Sequence, residues 1–486
     1  MRRCWMGTVW ILLVAPMTWA GTSLWVEPAG VMIMPDRSAG TRGEIRLTGV
    51  RNEYVAAQLA LRSDEEGGGP CSFEWTALRS ASGKEIARQN IALFRMTEKI
   101  DALVPLVTSD GTNVANSLRP EKDKTIPFWV DVLIPAGTPA EEFTGRITLK
   151  ADGRDVAVVP VEVKVLDLEI PAEPTLPTQC QVFIAQTPHL KANIETYMNE
   201  IRRHRLQPHC DGFLYSPKRD LEAMNPGGRG WQFLYLYLDG NRKNWPYKWQ
   251  EFKKGAEFYR NLGMIDRVYV TANDPVGGEV FAEFFKGLIQ EVPEFKDRIM
   301  AITRWQEGSE LSKVVRCFVY DSRTYRSEAD YRARWDERRA QGHEVWLMLP
   351  AARASGWAAW REKAGGIFSW GIYGGWENRN EEWSPAGLLC PGLFRKQDAS
   401  TVGGAPSWTL VDDISGPVMK RQAKRFRQGL AEYELLKMAE KKAGRPKVEA
   451  IVDTVYTELS KWNADEDAWE KARQQVIDLL LQPDGK

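Results

Sequence analysis

Asn273-Asp274-Pro275 follows directly on a short apolar run, Arg267-Val-Tyr-Val-Thr-Ala272, and sets a titratable carboxyl at its end. A carboxyl there offers proton transfer, provided a substrate oxygen comes within hydrogen-bond reach. Val268, Tyr269 and Val270 carry the β-branched and aromatic bias of a buried strand. Pro275 cannot donate to a ladder and ends the run, and a helical pattern begins near Val280. An acid just past a strand, at the mouth of alternating strands and helices, stands where such folds carry their chemistry. The same pair can instead cap the helix that follows.

Aromatic residues cluster near other strand ends. Trp305 follows the fifth candidate strand of the alternating region, Tyr320 and Asp321 end the sixth, and Trp370, Tyr373, Trp376 and Glu377 end the last. The chain holds 20 tryptophans, from Trp5 to Trp469. Large aromatics are core residues, but at a site they also stack on flat apolar faces, including the C–H faces of sugars. Trp346, inside a strand, reads as core. Asp321, followed by Ser, Arg and Thr, also fits a helix or turn cap.

With 486 residues the chain is long enough for two or three domains. Its 43% hydrophobic and 27% charged content is that of a soluble globular protein, and its zero net charge gives no basic face for nucleic acid. Cys4 aside, five cysteines stand at wide spacings without a CxxC pair, which supports neither a zinc ribbon nor a dithiol redox site. The four histidines include His204 and His209, five apart around Pro208, a spacing too disrupted for a helical metal face. No metal and no cofactor is expected. Arg2 and Arg3, the apolar run Cys4–Met17 and the small-residue site before Gly21 predict an export signal over residues 1–20. No other apolar stretch is long enough to span a membrane, so the expected location is secreted or periplasmic. Oligomeric state is not legible.

The elements that must position these residues fall into blocks. Residues 21–170 alternate with period two between Gly- and Asp-rich turns, the pattern of a β-sandwich. Residues 171–178, Pro-rich, predict a stiff extended linker. From 179 to 412 strand-like and helical runs alternate, and eight strand candidates predict a (β/α)8 TIM-like barrel. These are 181–185, 212–215, 232–238, 267–272, 298–303, 314–320, 344–349 and 366–372. Residues 413–486 are helical and charged, with Arg427, Glu432, Tyr433 and Glu434 reading as a helix-packing network. The fold class expected is therefore multidomain, β plus α/β, with a C-terminal helical segment.

Four motifs in chain order carry a resemblance. They are Arg51-Asn-Glu-Tyr-Val-Ala-Ala-Gln-Leu-Ala-Leu-Arg62, His204-Arg-Leu-Gln-Pro208, Gly366-Ile-Phe-Ser-Trp-Gly-Ile-Tyr-Gly-Gly-Trp376 and Phe426-Arg-Gln-Gly-Leu-Ala-Glu-Tyr-Glu-Leu-Leu436. Over roughly residues 24 to 440 the chain resembles glycoside hydrolase family 123. The resemblance implies a retaining β-N-acetylgalactosaminidase in which the sugar's 2-acetamido oxygen attacks the anomeric carbon, an exception to the two-carboxylate scheme. It also implies an Asp-Glu-Pro motif, the Glu as general acid and the Asp orienting the acetamido group.

Here that motif reads Asn273-Asp274-Pro275. Asp274 takes the place of the acid, about 1.5 Å shorter in reach than Glu. Asn273 can accept the acetamide N–H through its carbonyl but supplies no negative charge to a cationic intermediate. Two functions follow as expectations: an exported glycosidase of N-acetylhexosamine-containing glycans, or a non-catalytic glycan-binding descendant that keeps the pocket. A third, hydrolysis of a different substrate, predicts a second carboxylate near Asp274, with Asp321 and Glu377 as candidates.

Overall fold

A computed structural model describes residues 17–19, 21–65, 70–96, 103–107, 116–183, 194–211, 230–236, 238, 241–272, 278–302, 309–321, 328–348, 353–369, 389–390, 418–419, 421–459 and 461–483. The chain divides into two compact units, residues 1–98 with 104–169, and residues 99–103 with 170–486.

The first unit is two sheets over one core. One sheet orders Met17–Trp19, Thr22–Pro28, Glu53–Ser63, Thr125–Ile134, Ile91–Met96 and Leu103–Pro105. The other orders Ile45–Arg51, Arg154–Glu169, Glu142–Ala151, Leu78–Ser80 and Glu85–Ile86, with Cys71–Trp75 also on Glu142–Ala151. Alternation decides which side chains meet: Val159, Val161, Val163 and Val165 face Leu59, Leu61, Phe128, Val130 and Val132 in a single cluster. The first motif is explained here. Asn52 adopts φ 64°, one of the few left-handed non-glycine residues, and turns the chain between the two sheets. Glu53 then accepts the Val50 N–H at 3.0 Å, and buried Gln58 donates to the carbonyls of Pro28 and Val31 at 2.8 and 2.7 Å. These residues secure a turn and a loop, not a reaction.

The second unit contributes eight strands: β1 (Thr178–Phe183), β2 (Gln207–Asp211), β3 (Gln232–Leu236), β4 (Val268–Ala272), β5 (Met300–Ile302), β6 (Cys317–Asp321), β7 (Glu344–Met348) and β8 (Gly366–Ser369). Six form one parallel sheet, β2-β1-β8-β7-β6-β5, and β3 pairs in parallel with β4. A parallel bridge, Val270 to Ile299, ties β4 to the residue preceding β5. The first and last strands are neighbours. Helices α1 (Ile194–Arg203), α2 (Trp245–Asn261), α3 (Gly278–Glu291), α4 (Ser309–Val314), α5 (Glu328–Ala340) and α6 (Ala354–Arg361) alternate with the strands. The chain then continues into α7 (Arg421–Ala443), α8 (Arg445–Val452) and α9 (Glu466–Leu481).

Two sequence expectations shift. The second strand is Gln207–Asp211, earlier than the expected 212–215, which lies outside the described residues. Pro208 disguised it. Among the described residues β2 has a hydrogen-bonded neighbour on one side only, the setting in which a strand tolerates a residue without an N–H. The expected strand at 314–320 begins three residues late, because Ser309–Val314 is a short helix. Cys71, Cys180 and Cys317 are buried free thiols, so none of them forms a disulfide.

The C-terminal helices cover α6, whose residues Ala354 to Trp360 are all buried. Glu432 and Glu434, two residues apart and so on opposite sides of α7, serve different partners. Glu432 accepts from Arg353 and from Trp357 Nε1 at 2.6 Å. Glu434 accepts the Thr175 N–H at 2.7 Å and its hydroxyl at 2.8 Å, and lies 3.5 Å from Arg205. Arg205, at φ 60°, also donates to the Pro171 carbonyl at 2.9 Å. The second and fourth motifs thus meet in one buried network that fastens the segment entering β1. No helix among the described residues is long and apolar enough to cross a membrane.

Candidate active site

Parallel strands present their C-terminal ends along one edge, here Phe183, Asp211, Leu236, Ala272, Ile302, Asp321, Met348 and Ser369. The ladders hold those ends level in pairs: Phe183 with Asp211, Leu236 with Ala272, and Asp321 with Met348. Asn273 and Asp274 are the first and second residues after β4, Trp305 is the third after β5, and Trp370 the first after β8. Asn273, Asp274, Trp305, Trp370, Tyr373, Trp376 and Glu377 themselves lie outside the described residues. So do the residues that directly follow each of the eight strands. Asp321 is the last residue of β6, its backbone paired with Met348.

Tyr320 stands apart from the expected sugar-facing role. Its ring is buried against Tyr331 and Trp335 of α5, with centroids 5.9 and 5.8 Å away. Strand alternation explains the position. Cys317 and Val319 belong to the inner cluster with Phe233, Tyr269, Met300, Trp346, Met348 and Phe368, while Phe318 and Tyr320 face the helices. Trp346, read as core, is fully buried in that inner cluster.

Asp211 was missed by sequence reasoning. It ends β2 at the same edge as Asp321, and the signal for it was available: Gln207 to Asp211 is a run closing on an acid, obscured only by Pro208. Among the described residues no group of three His, Cys, Asp or Glu could hold a metal ion.

At the opposite end of the inner cluster is a polar network that the sequence did not reveal. Glu344 Oε2 accepts from the Tyr269 hydroxyl at 2.9 Å, the Cys317 thiol at 3.0 Å and Trp346 Nε1 at 3.3 Å. Arg298 donates to the Tyr269 oxygen at 2.9 Å and lies over the rings of Trp231 and Tyr269, 5.4 and 5.1 Å from their centroids. Burial, then the Glu344 charge, holds the Tyr269 phenol and the Cys317 thiol well above their ordinary ranges. Neither group is a base or a nucleophile in that state. The network joins β4, β6 and β7 near their starts and acts on geometry, as the N-terminal face of such sheets does.

No protein-family model and no curated protein matches the chain. Solved structures do. Over 95% of this chain and 98% of the other, the fold is similar to that of a family 123 glycoside hydrolase from Clostridium perfringens, determined in a study of glycolipid glycan hydrolysis, with a TM-score of 0.58 at 11% identity. A GH5 xyloglucanase from Bacteroides ovatus aligns over 80% of this chain and 98% of its own at 7% identity, with a TM-score of 0.29 that carries no argument. At this identity the first likeness establishes a distant structural relationship and speaks for fold alone.

Proposed function

We propose that this protein is an exported glycoside hydrolase with a (β/α)8 barrel, acting at the C-terminal edge of its parallel strands. One observation carries the reading: over 95% of its length the chain is similar in fold to a family 123 glycoside hydrolase, and Asn273-Asp274 directly follows β4 in sequence. Three features support the barrel reading: uniform strand direction, the β1–β8 ladder and the Val270–Ile299 bridge. In the mechanism proposed, the substrate is a β-linked N-acetylhexosaminide and its acetamido oxygen attacks the anomeric carbon. Asp274 donates a proton to the departing glycosidic oxygen. Asn273 accepts the acetamide N–H and aligns the attacking carbonyl. Water, giving a proton back to the Asp274 carboxylate, then adds at the anomeric carbon and opens the cyclic intermediate with net retention. The missing charge at position 273 lowers the rate, since a carboxylate would stabilise the cationic intermediate by several kcal/mol, an order-of-magnitude figure for a dry site.

The test is hydrolysis of aryl β-N-acetylgalactosaminide and N-acetylglucosaminide by the mature protein, Asp274→Ala and Asn273→Asp. Turnover abolished in Asp274→Ala and raised in Asn273→Asp supports the reading. A parent without turnover, not restored by Asn273→Asp combined with Asp274→Glu, overturns catalysis. The non-catalytic glycan-binding account then takes its place, favoured by the Asn-Asp pair itself.

A further inference from the structure

Arg353 is the residue from which α6 starts, five positions after the end of β7 at Met348. Five residues span at most about 18 Å, so Arg353 stands within that reach of the C-terminal end of β7. Its guanidinium is almost fully buried, at 3% exposure, and every nitrogen is occupied. Nε and Nη2 grip both oxygens of Glu432 on α7 at 2.6 to 3.0 Å, a bidentate pair that fixes orientation as well as distance. Nη1 donates to Glu466 at 2.6 Å and to Glu470 at 2.7 Å, both on α9. Arg425 holds Glu466 from the other side at 2.6 Å, Arg473 approaches Glu432 at 3.7 Å, and Trp469 closes over the guanidinium at 5.8 Å. Trp357, one turn into α6, adds its Nε1 to Glu432 and packs edge-on against Trp469 at 5.5 Å. Three arginines thus meet three glutamates drawn from α6's start, α7 and α9.

We infer that Arg353 is a positioning residue, through which the C-terminal helices set the geometry at the C-terminal end of β7. The inference rests on the proposal that this edge is the active site, but the anchoring it describes does not. A planar fork held by three carboxylates fixes the orientation as well as the charge of the residue that ends the β7 connection. Lysine could neutralise the charge there but could not reproduce the fork.

The experiment combines steady-state hydrolysis of the aryl N-acetylhexosaminides with hydrogen exchange in the full chain. Glu432→Gln is the main variant and Glu458→Gln the control, since Glu458 pairs with Lys461 at 2.8 Å outside this network. In Glu432→Gln, exchange is expected to rise at least tenfold across Ala354–Arg361 while β1 to β4 stay protected. KM is expected to rise at least fivefold at an unchanged folded fraction. Glu458→Gln should change neither by more than twofold. Exchange raised in α6 with KM and kcat unaltered would reduce Arg353 to a structural role and overturn the inference, as would exchange unchanged in α6. An inactive parent sinks the glycosidase reading, and affinity for an immobilised N-acetylhexosamine glycan then replaces KM. An affinity unmoved by Glu432→Gln, or no affinity in the parent, overturns the positioning role. Should Glu432→Gln not fold, Glu466→Gln, which removes one of the three carboxylates, is judged by the same outcomes.

Discussion

Gly356 of α6 lies directly against the backbone of Gly429 in α7: a β-carbon on Gly356 would stand 1.9 Å from the Gly429 carbonyl oxygen, and one on Gly429 would stand 2.2 Å from the Arg353 carbonyl oxygen. The two helices therefore touch main chain to main chain, and no side-chain rotation can relieve an added methyl group. The sign of a glycine-to-alanine change is decided by this contact. In an exposed helix the change stabilises by about 1 kcal/mol. Here overpacking against backbone costs about 1–3 kcal/mol or more. Gly356→Ala is expected to lower the thermal midpoint, and a scanning-calorimetry trace with a raised midpoint would contradict the packing described.

The Arg353–Glu432 pair gives an asymmetric prediction. Removing Glu432 takes away the bidentate partner of Arg353 and the acceptor of Trp357 Nε1, while Glu466 and Glu470 still neutralise the arginine, so Glu432→Leu is expected to destabilise the unit by about 1–3 kcal/mol. Replacing both, as Arg353→Met with Glu432→Leu, should cost less than the sum of the two single changes, because each single change leaves the other side chain without its bidentate partner. Urea denaturation of the two single variants and the double variant measures it. Additive losses in the double variant would mean the two side chains are not coupled.

Tyr269→Phe removes a donor from Glu344 and an acceptor from Arg298 while leaving the ring in place. The expected cost is about 1–3 kcal/mol, chiefly from polar groups left unpaired in the interior. The phenol itself is held above its ordinary range by burial and by the Glu344 charge. An ultraviolet difference titration of the folded protein should therefore show one tyrosine fewer ionising in Tyr269→Phe only after alkaline unfolding, not before it.

His343 links stability to mild acid. It is buried, with its ring centroid 5.1 Å from Phe318 and Nε2 3.4 Å from Arg316 Nη1. Burial and then the Arg338 and Arg316 charges push its pKa below the usual 6.5. The unfolded chain thus binds a proton that the folded chain refuses. Its contribution is fully present above 6.5 and is lost as pH falls from there to the depressed folded value, below which the loss is constant. The midpoint of unfolding should fall on acidification through this window, and His343→Asn should flatten that dependence. An equal slope in both proteins would assign the effect elsewhere.

Much of the second unit was legible because a strand declares itself locally. Seven of the eight expected strand positions overlap the observed ones, in apolar runs mostly rich in β-branched and aromatic residues. Gln207–Asp211 was misplaced because Pro208 breaks the local pattern, and only its place in the sheet makes Pro208 tolerable. Ser309–Val314 is a helix too short to show a period. In the first unit the alternation of Arg154–Glu169 gave the inward face directly.

By itself the sequence determined the order of strands and helices and the attachment of Asn273-Asp274 to the end of β4, since both follow from nearest neighbours along the chain. Tertiary structure alone decided the rest. The inner and helix-facing sides of β6 differ by one residue, and that step sends Tyr320 to α5 rather than to the site edge. Arg353 meets Glu432 across 79 residues and Glu470 across 117, and Tyr269 meets Glu344 across 75. No local propensity encodes such pairings. They arise when folding brings charges out of water together, where only a partner of opposite sign, at the right angle, makes burial tolerable.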